Sequence, residues 1–330
     1  MTRRWLRPDR SRWWIVGAAV GVAVLILLWR ALPTSPIPAA ITPSTPPTAT
    51  ERPTSSPTAR PSPTAAPSPS PSPAPVAGFE DGRLTVLVLG SDSSAQRAAV
   101  GTGGLTDGIT VASVRADGSG LTLVSIPRDT TDVPLPDGSI WTAKINALAP
   151  TLGPEVAADA IGLLLGVQVD NYVQINMDDL VRIVDAVGGV SVDVPTRLSD
   201  ATCTIEAGPN RLSGWLALCY ARHRQTDDDY ARAGRHQQLL LAIRDAMFAN
   251  ELDVPSLVAS LGSLQTNLDV DDLDGLVQMA AGSRGLEAQR VVLGPPDYTL
   301  FVGIAGDRGW ISTPNVGAIQ SRVAALLAAD

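Results

Sequence analysis

The first 77 residues of this 330-residue chain cannot supply a hydrophobic core, so any globular fold must be built from residues 78–330. Residues 33–77 are almost entirely Pro, Ser, Thr and Ala. This composition buries too little apolar surface to offset the entropy of ordering the chain, and it favours extended polyproline II. At about 3.1 Å per residue, the segment would span about 140 Å. It is predicted to be a disordered linker.

Residues 13–32 are predicted to form one transmembrane helix. The run Trp13–Trp29 contains no charged residue, and with the residues after Arg30 it approaches the roughly 20 residues needed to cross about 30 Å of hydrocarbon. Five arginines lie in residues 1–12, which predicts a cytoplasmic N-terminal arm and an exported remainder. A cleaved signal peptide is the alternative, but the run is longer than a usual signal-peptide core. The predicted location is the cell membrane, with residues 78–330 outside the cell.

Residues 78–330 show interleaved strand and helix patterns. Short apolar runs predict strands at 84–89, 109–114, 121–126, 172–175, 190–194 and 291–293. Helical spacing of apolar residues predicts helices at 156–165, 178–187, 230–248, 257–261, 273–281 and 316–327. Asp117-Gly118 predicts a hairpin between the second and third strands. The interleaving predicts an α/β fold, in which a mixed central β-sheet is flanked by helices on both faces.

Composition limits the partners of this exported part. The net charge of −8 includes the basic N-terminal arm, so the exported part is more acidic still, which argues against a nucleic-acid partner. The only two cysteines, Cys203 and Cys219, both lie in it. An oxidising compartment predicts that they form one disulfide, worth about 3 kcal/mol. Two free structural thiols are the alternative.

The segment from Tyr220 to Gln238 carries four arginines around a run of three aspartates. Arg222 and Arg224 alternate, so on a strand following a helical turn at 214–218 both would point to one face. Arg232 and Arg235 are three residues apart and would share one face of a helix. Converging guanidinium groups suit a polyanion, because each can bind a phosphate through two hydrogen bonds. A solvated surface with Asp–Arg ion pairs is the alternative.

Two acidic residues and one further arginine lie where predicted strands begin or end. Asp92 follows the first strand, Asp107 precedes the second, and Arg128 follows the third. Ligands of α/β proteins bind at such strand ends, and a pair of carboxylates suits Mg²⁺, which prefers oxygen ligands. The alternatives are a helix cap at Asp92, a turn at Asp107 and a surface turn at Arg128.

Taken together, these motifs resemble the LytR-CpsA-Psr family. Five motifs occur in the family's order across residues 84–248: Gly-x-Asp after a strand, Thr-Asp before the next, Ser-Ile-Pro-Arg-Asp, Lys-Ile-Asn, and Tyr-x-Arg-x-Arg followed by Asp-x-x-Arg-x-x-Arg. The resemblance implies a phosphotransferase outside the cell membrane. It would transfer a glycopolymer from a polyprenyl pyrophosphate carrier to peptidoglycan and form a phosphodiester.

The resemblance also implies roles for individual residues. Mg²⁺ would be held by Asp92 and Asp107. The catalytic residues would be Arg128, Asp229, Arg232 and Arg235, with Asp229 orienting the arginines. The pyrophosphate-binding residues would be Arg128, Arg222, Arg224, Arg232, Arg235 and His236.

Three positions depart from the family's pattern. Ser94 and Leu105 stand where the family carries arginine, and His236 stands where it carries glutamine. Arg97 is the candidate to replace one of the missing arginines. Two alternative functions therefore stay open: a polyprenyl pyrophosphate phosphatase with water as the acceptor, and a non-catalytic, membrane-anchored regulator that binds lipid phosphates.

Overall fold

A computed structural model describes residues 82–224, 228–249, 264–268, 283 and 285–330. The arm, the anchor and the linker predicted from the sequence lie outside these residues, as do the helices predicted at 257–261 and 273–281. No helix within the described ranges is both long enough and apolar enough to span a bilayer.

Strands and helices alternate along the described part of the chain. The strands are β1 Arg83–Ser91, β2 Thr106–Arg115, β3 Leu121–Ser125, β4 Val133–Pro134, β5 Ile140–Trp141, β6 Asn171–Ile175, β7 Val190–Val194, β8 Leu198–Ser199, β9 Thr204–Ile205, β10 Gly208–Leu212, β11 Gln265–Thr266, β12 Gln289–Val292, β13 Thr299–Ile304 and β14 Trp310–Pro314. The α-helices are α1 Ala95–Ala99, α2 Leu148–Leu152, α3 Pro154–Leu165, α4 Met177–Ala186, α5 Gly214–Arg222, α6 Asp229–Ala249 and α7 Val316–Ala329. Short 3₁₀ helices cover Ile145–Ala147 and Gly306–Arg308.

The central sheet has six strands in the order β11-β6-β1-β2-β3-β12. The pairs β1–β6 and β3–β12 are parallel, and the pairs β1–β2, β2–β3 and β6–β11 are antiparallel. The β2–β3 hairpin turns at Gly118, whose φ of 71° suits glycine. The predicted mixed sheet and its hairpin are confirmed.

The two faces of this sheet are covered by different helices. Leu84 and Val86 of β1 pack into a core with α4, α5 and α6. Leu87 and Leu89 of the same strand face a second core, formed with α3 and α7. This alternation follows from the two-residue period of a strand, and it confirms the prediction of helices on both faces.

The predicted strand through Arg222 and Arg224 is wrong, because α5 continues to Arg222 and only Arg224 lies beyond it. The alternation of the two arginines is overridden by the apolar side chains before them. Ala217, Tyr220 and Ala221 are buried at helical spacing against the first core, and that packing outweighs a local charge pattern.

A smaller correction concerns the start of α4. The sequence predicted that Asp178 opens this helix, but it begins at Met177 with Asn176 as its N-cap. The Asn176 side chain accepts a hydrogen bond from the Asp179 amide, and the Asp179 side chain accepts one from the Asn176 amide. This reciprocal capping box satisfies two amides, so it fixes the helix start.

The beginning of α5 is held tightly against α4. The Gly214 amide donates a 2.7 Å hydrogen bond to Asp185 Oδ1, and a Cβ at Gly214 would lie 2.2 Å from the Val181 carbonyl oxygen. Only glycine allows so close an approach of the two helices. The contact fixes the direction of α5, whose other end carries Arg222.

Candidate active site

A cavity of about 400 Å³ lies between one face of the sheet and the helices α4, α5 and α6. Most of its wall is aliphatic: Val88, Val173, Ile175, Met177, Leu180, Ile183, Leu218, Ala221, Leu239, Leu240 and Ile243. The charged and imidazole side chains that line it form a group that we call the charged end: Asp92, Arg97, Asp107, Arg128, Arg222, Arg224, Arg232 and His236. A volume of this size is typical of ligand sites.

Two glycines leave open space above the sheet at the charged end. Gly90 of β1 and Gly108 of β2 lie directly opposite each other. A Cβ at Gly108 would lie 3.1 Å from His236 Nδ1, and one at Gly90 would lie 3.4 Å from the Gly108 Cα. Side chains here would fill the space between the sheet and α6.

Asp107 is the carboxylate on which several segments converge. Its oxygens accept hydrogen bonds from Arg128 Nη1 at 3.0 and 3.1 Å, from Arg224 Nη2 at 3.0 Å and from Asn146 Nδ2 at 3.2 Å. Burial acts to raise the pKa of Asp107, but the Arg128 charge and the Asn146 hydrogen bond outweigh it, so the pKa is lowered. Asp107 is therefore ionised at neutral pH.

Asp229, the first residue of α6, ties two arginines together. Its carboxylate accepts from Arg128 Nε at 3.1 Å and pairs with Arg232 Nη2 at 2.9 Å. Burial acts to raise the pKa of Asp229, but the charges of Arg232 and Arg128 lower it overall. Arg232 is only 3% exposed. The predicted orienting contacts of Asp229 are thus present, although its role in catalysis stays a prediction.

Asp92 and Arg97 form a second ion pair, with Arg97 Nη2 3.0 Å from Asp92 Oδ2. The other oxygen of Asp92 accepts from the amides of Gly104 and Leu105 at 2.7 and 2.9 Å. Ser94 caps α1 by accepting from the Arg97 amide at 3.2 Å. Ser94 therefore begins the short helix that brings Arg97 to the cavity. Arg97 Nε is buried and makes no hydrogen bond within the described structure.

Arg222 and Arg224 reach the cavity from the end of α5. Arg224 pairs with Asp107, whereas exposed Arg222 forms no ion pair with any residue that the structure describes. In all, five arginines line this cavity against two carboxylates. A local excess of positive charge in a chain of net charge −8 marks a site for an anion.

The structure does not bring Arg235 to the cavity, unlike the other predicted pyrophosphate-binding arginines. Arg235 is buried, and its Nε and Nη2 donate to the carbonyl oxygens of Tyr220 and His223 at 2.8 and 2.5 Å. These carbonyls lie at the C-terminal end of α5, where they have no partners within the helix. Arg235 therefore holds the end of α5, and with it Arg222 and Arg224, in place.

His236 does line the cavity, but as a neutral side chain. Its Nε2 lies 3.0 Å from the Ala221 carbonyl oxygen, to which it donates in the matching tautomer. The pKa of His236 is lowered to about 4, chiefly by burial and also by the charges of Arg232 and Arg235, while the Ala221 hydrogen bond acts to raise it. A neutral imidazole adds no positive charge to the predicted pyrophosphate site.

The segment 144–146 contacts Asp107 of the charged end and the loop that follows Arg128. Asn146 reaches Asp107, Ile145 N donates to the Thr130 carbonyl at 2.7 Å, and Lys144 Nζ pairs with Asp129 at 2.6 Å. The sequence prediction did not include these residues in the site. The available signal was the family motif Lys-Ile-Asn, which holds the only lysine of the chain.

Cys203 and Cys219 are paired, with Cα atoms 6.4 Å apart, a separation typical of disulfides. Cys219 lies in α5, and Cys203 follows the turn at Asp200, whose carboxylate is 3.7 Å from His223 Nδ1. The oxidised bond stays a prediction. This bond would tie the 200–203 turn to α5.

Fold and site together define an α/β protein that can enclose an apolar chain and hold an anionic group at the end of the sheet. The chain belongs to the LytR_cpsA_psr (LytR-CpsA-Psr) family, whose family model matches residues 49–293.

Two relatives illustrate the range of names in this family. The polyisoprenyl-teichoic acid–peptidoglycan teichoic acid transferase TagU of Halalkalibacterium halodurans is 31% identical over 207 residues, which cover 61% of this chain and 65% of that protein. Biofilm regulatory protein A of Streptococcus mutans is 29% identical over 205 residues, covering 56% of this chain and 50% of that protein. The chain thus spans about half to two thirds of the length of these relatives.

Solved structures share the fold. The crystal structure of TagV from B. subtilis has a TM-score of 0.60 at 24% identity and covers 76% of this chain and 98% of that one. TagT bound to LIIa-WTA has a TM-score of 0.59 at 22% identity, with coverage of 75% and 91%. The likeness shows the α/β architecture of the described domain.

Proposed function

We propose that this chain is a membrane-anchored phosphotransferase that moves a glycopolymer from a polyprenyl pyrophosphate carrier to peptidoglycan, in a Mg²⁺-dependent reaction outside the cell. The observation that carries the proposal is the cavity itself, where five arginines and two carboxylates lie at one end of an aliphatic wall. A polyprenyl pyrophosphate has the matching halves, an apolar tail and a polyanionic head. The names of the transferase relatives agree with this substrate class.

The arginines divide into fixed and available cations. Arg128 and Arg232 are held by Asp229 and are partly or fully buried, so their positions are set before the substrate arrives. Such preorganised charge stabilises a phosphoryl transition state without reorganisation. Exposed Arg222 has no ion pair in the described structure, so it can bind a phosphate without giving up a carboxylate.

The reaction needs positioning more than covalent help from the protein. A hydroxyl oxygen of peptidoglycan forms a bond to the glycan-side phosphorus, and the bridging bond of the pyrophosphate breaks. Polyprenyl phosphate leaves, and the hydroxyl proton passes to this leaving phosphate or to solvent. The arginines neutralise the charge on the leaving phosphate, and the aliphatic wall keeps water away from the tail.

Asp92 and Asp107 fit a magnesium ion by their chemistry. Both are carboxylates on the wall of one cavity, and Asp107 is held ionised by Arg128. Within the described ranges, no three His, Cys, Asp or Glu residues come together as a metal site. The other positions around the ion would then belong to water and phosphate oxygens, as Mg²⁺ prefers. When bound, the ion would supply further positive charge for the phosphate oxygens.

The test uses the full chain in lipid nanodiscs with a polyprenyl pyrophosphate glycan, Mg²⁺ and peptidoglycan fragments. A covalent glycan–peptidoglycan product that disappears with EDTA and returns with Mg²⁺ is expected. Release of glycan phosphate without transfer would instead indicate the phosphatase, and tight binding without turnover would indicate the regulator, the role that the streptococcal relative's name suggests.

A matched pair of variants ties the activity to this site. Arg222→Ala removes the available cation and should abolish transfer, whereas Arg322→Ala removes an exposed arginine of α7, outside the cavity, and should leave transfer unchanged. Equal activity of the two variants would contradict the site assignment.

A further inference from the structure

The hairpin β13–β14 exposes large apolar side chains to solvent. Ile304 is 75% exposed and Trp310 is 54% exposed, and Leu300 nearby is 71% exposed. Ile304 and Trp310 are direct cross-strand partners, so they lie side by side on one face of the hairpin. We call these two side chains the hairpin platform. An exposed pair of this kind, next to polar neighbours, is typical of a binding surface.

The hairpin is fastened to the loop that carries Arg128. The Ser312 amide donates to the Asp129 carbonyl, and the Thr131 amide donates to the Ser312 carbonyl, each at 2.9 Å. At the hairpin tip, Arg308 pairs with Asp132 at 2.9 Å. Trp310 is thus two residues before Ser312, which is hydrogen-bonded to Asp129, the residue that follows Arg128.

The platform lies outside the cavity. Arg128 lines the cavity, but of the described residues of the hairpin and of the 129–132 segment, none does. Arg128 is thus the cavity residue that directly precedes the segment to which the hairpin is hydrogen-bonded.

This arrangement has a consequence for the acceptor. In phosphoryl transfer the attacking and leaving oxygens lie roughly in line on opposite sides of the phosphorus. If the tail and the leaving phosphate occupy the cavity, as the proposed function requires, the attacking hydroxyl must come from outside the cavity. The hairpin platform is outside the cavity, on a hairpin that is hydrogen-bonded to the residues after Arg128.

We propose that the hairpin platform binds the acceptor, the sugar rings of a peptidoglycan glycan strand. This inference rests on the proposed function. An exposed indole offers a flat apolar face on which the C–H face of a sugar packs, and Ile304 extends that face. Arg308 and Asp132, beside it, can hydrogen-bond the hydroxyl groups of a sugar.

The surroundings favour an uncharged glycan over a lipid surface. Residues 295–314 carry two exposed aspartates, Asp297 and Asp307, and one exposed arginine, Arg308, which is paired with Asp132. Acidic side chains are repelled by the anionic lipids of a membrane surface. They do not oppose a sugar ring.

The chain offers a matched control for this platform. Trp215 is 53% exposed, nearly the same as Trp310 at 54%, but it lies in the first turn of α5, at the opposite end of that helix from Arg222. Trp310→Ala and Trp215→Ala thus remove the same side chain from two equally exposed places.

The experiment measures transfer by the full chain in nanodiscs against the concentration of short, uncrosslinked peptidoglycan strands. Trp310→Ala should raise the acceptor KM about tenfold and leave the KM for the polyprenyl pyrophosphate glycan unchanged, and Ile304→Ser should act in the same direction. Trp215→Ala should match the parent in both constants. Equal acceptor KM values for the two tryptophan variants would overturn the inference.

Two further outcomes separate the inference from other readings. If Trp310→Ala weakens binding to phosphatidylglycerol vesicles and leaves the acceptor KM unchanged, the platform is a membrane contact and the inference fails. If the parent performs no transfer, the proposed function fails, and direct titration with the same strands decides. Strand binding that is lost in Trp310→Ala and kept in Trp215→Ala would still support the platform, and unchanged binding would overturn it.

Discussion

Arg232 and Arg235 lie three residues apart on α6 and are almost equally buried, at 3% and 6% exposure, yet they contact different partners. Arg232 pairs with the carboxylate of Asp229 and lines the cavity. Arg235 donates to the backbone carbonyls of Tyr220 and His223 and stacks over the Tyr220 ring, 5.7 Å from its centre. One arginine belongs to the site, and the other to the support of the site.

The difference shows what helical spacing can and cannot predict. Residues three apart share a face of a helix, and here that face meets both the cavity and the end of α5. Which of the two a side chain reaches depends on where the neighbouring helix ends. Substitution of Arg232 is therefore expected to impair catalysis, and substitution of Arg235 is expected to impair stability.

The largest expected effect is the loss of catalysis in Arg232→Gln. This variant removes a preorganised cation from the pyrophosphate site, so transfer should fall about 10²–10³-fold, while urea unfolding of the domain changes little. Turnover under saturating donor and acceptor is the measurement. If Arg232→Gln retains the parent turnover, Arg232 does not contact the reacting phosphates.

Arg235→Gln should lose stability instead. It breaks two buried hydrogen bonds from a charged group, each worth about 1.5–3 kcal/mol, and leaves the end of α5 without its partners. The midpoint of urea unfolding should drop clearly, and turnover measured at low temperature should fall less than in Arg232→Gln. An Arg235→Gln variant with parental stability and turnover as low as that of Arg232→Gln would reverse the roles of the two residues.

Much of the fold was predictable, because strands such as β1 and β3 are continuous apolar runs and α6 has a clear helical pattern. The structure also brings the motif residues Asp107, Arg128 and Arg232 to one cavity, and their roles stay a prediction. The strand through Arg222 and the role of Arg235 could not be read from the chain. Both depend on how the end of α5 packs against α6, a contact between segments that the local pattern does not contain.

Arg97 is a second example of a contact that the local sequence pattern does not contain. The sequence pattern lacks an arginine at Ser94, but the structure uses Ser94 to cap α1 and so brings Arg97 to Asp92.

Arg97→Gln should raise the KM for the polyprenyl pyrophosphate glycan about tenfold, the effect of one lost phosphate contact of about 1.4 kcal/mol. Arg211→Gln, a substitution outside the cavity, is the control. Equal KM values for both variants would exclude a phosphate contact of Arg97.

The smallest expected effect concerns His236, next to Arg235, and acid. Its pKa is lowered from 6.5 to about 4, so between these values the folded protein binds fewer protons than the unfolded chain. The stability that depends on neutral His236 is therefore complete above about pH 6.5 and is lost as the pH falls toward 4. In His236→Gln the side chain can still donate to the Ala221 carbonyl but does not titrate. Thermal unfolding measured from pH 7.5 to 4.5 should show a shallower acid decline in this variant than in the parent, with the two curves parallel above pH 6.5. Identical slopes throughout would mean that the imidazole is protonated as easily in the folded chain as in the unfolded one, and that the charged end carries one more cation than its geometry indicates.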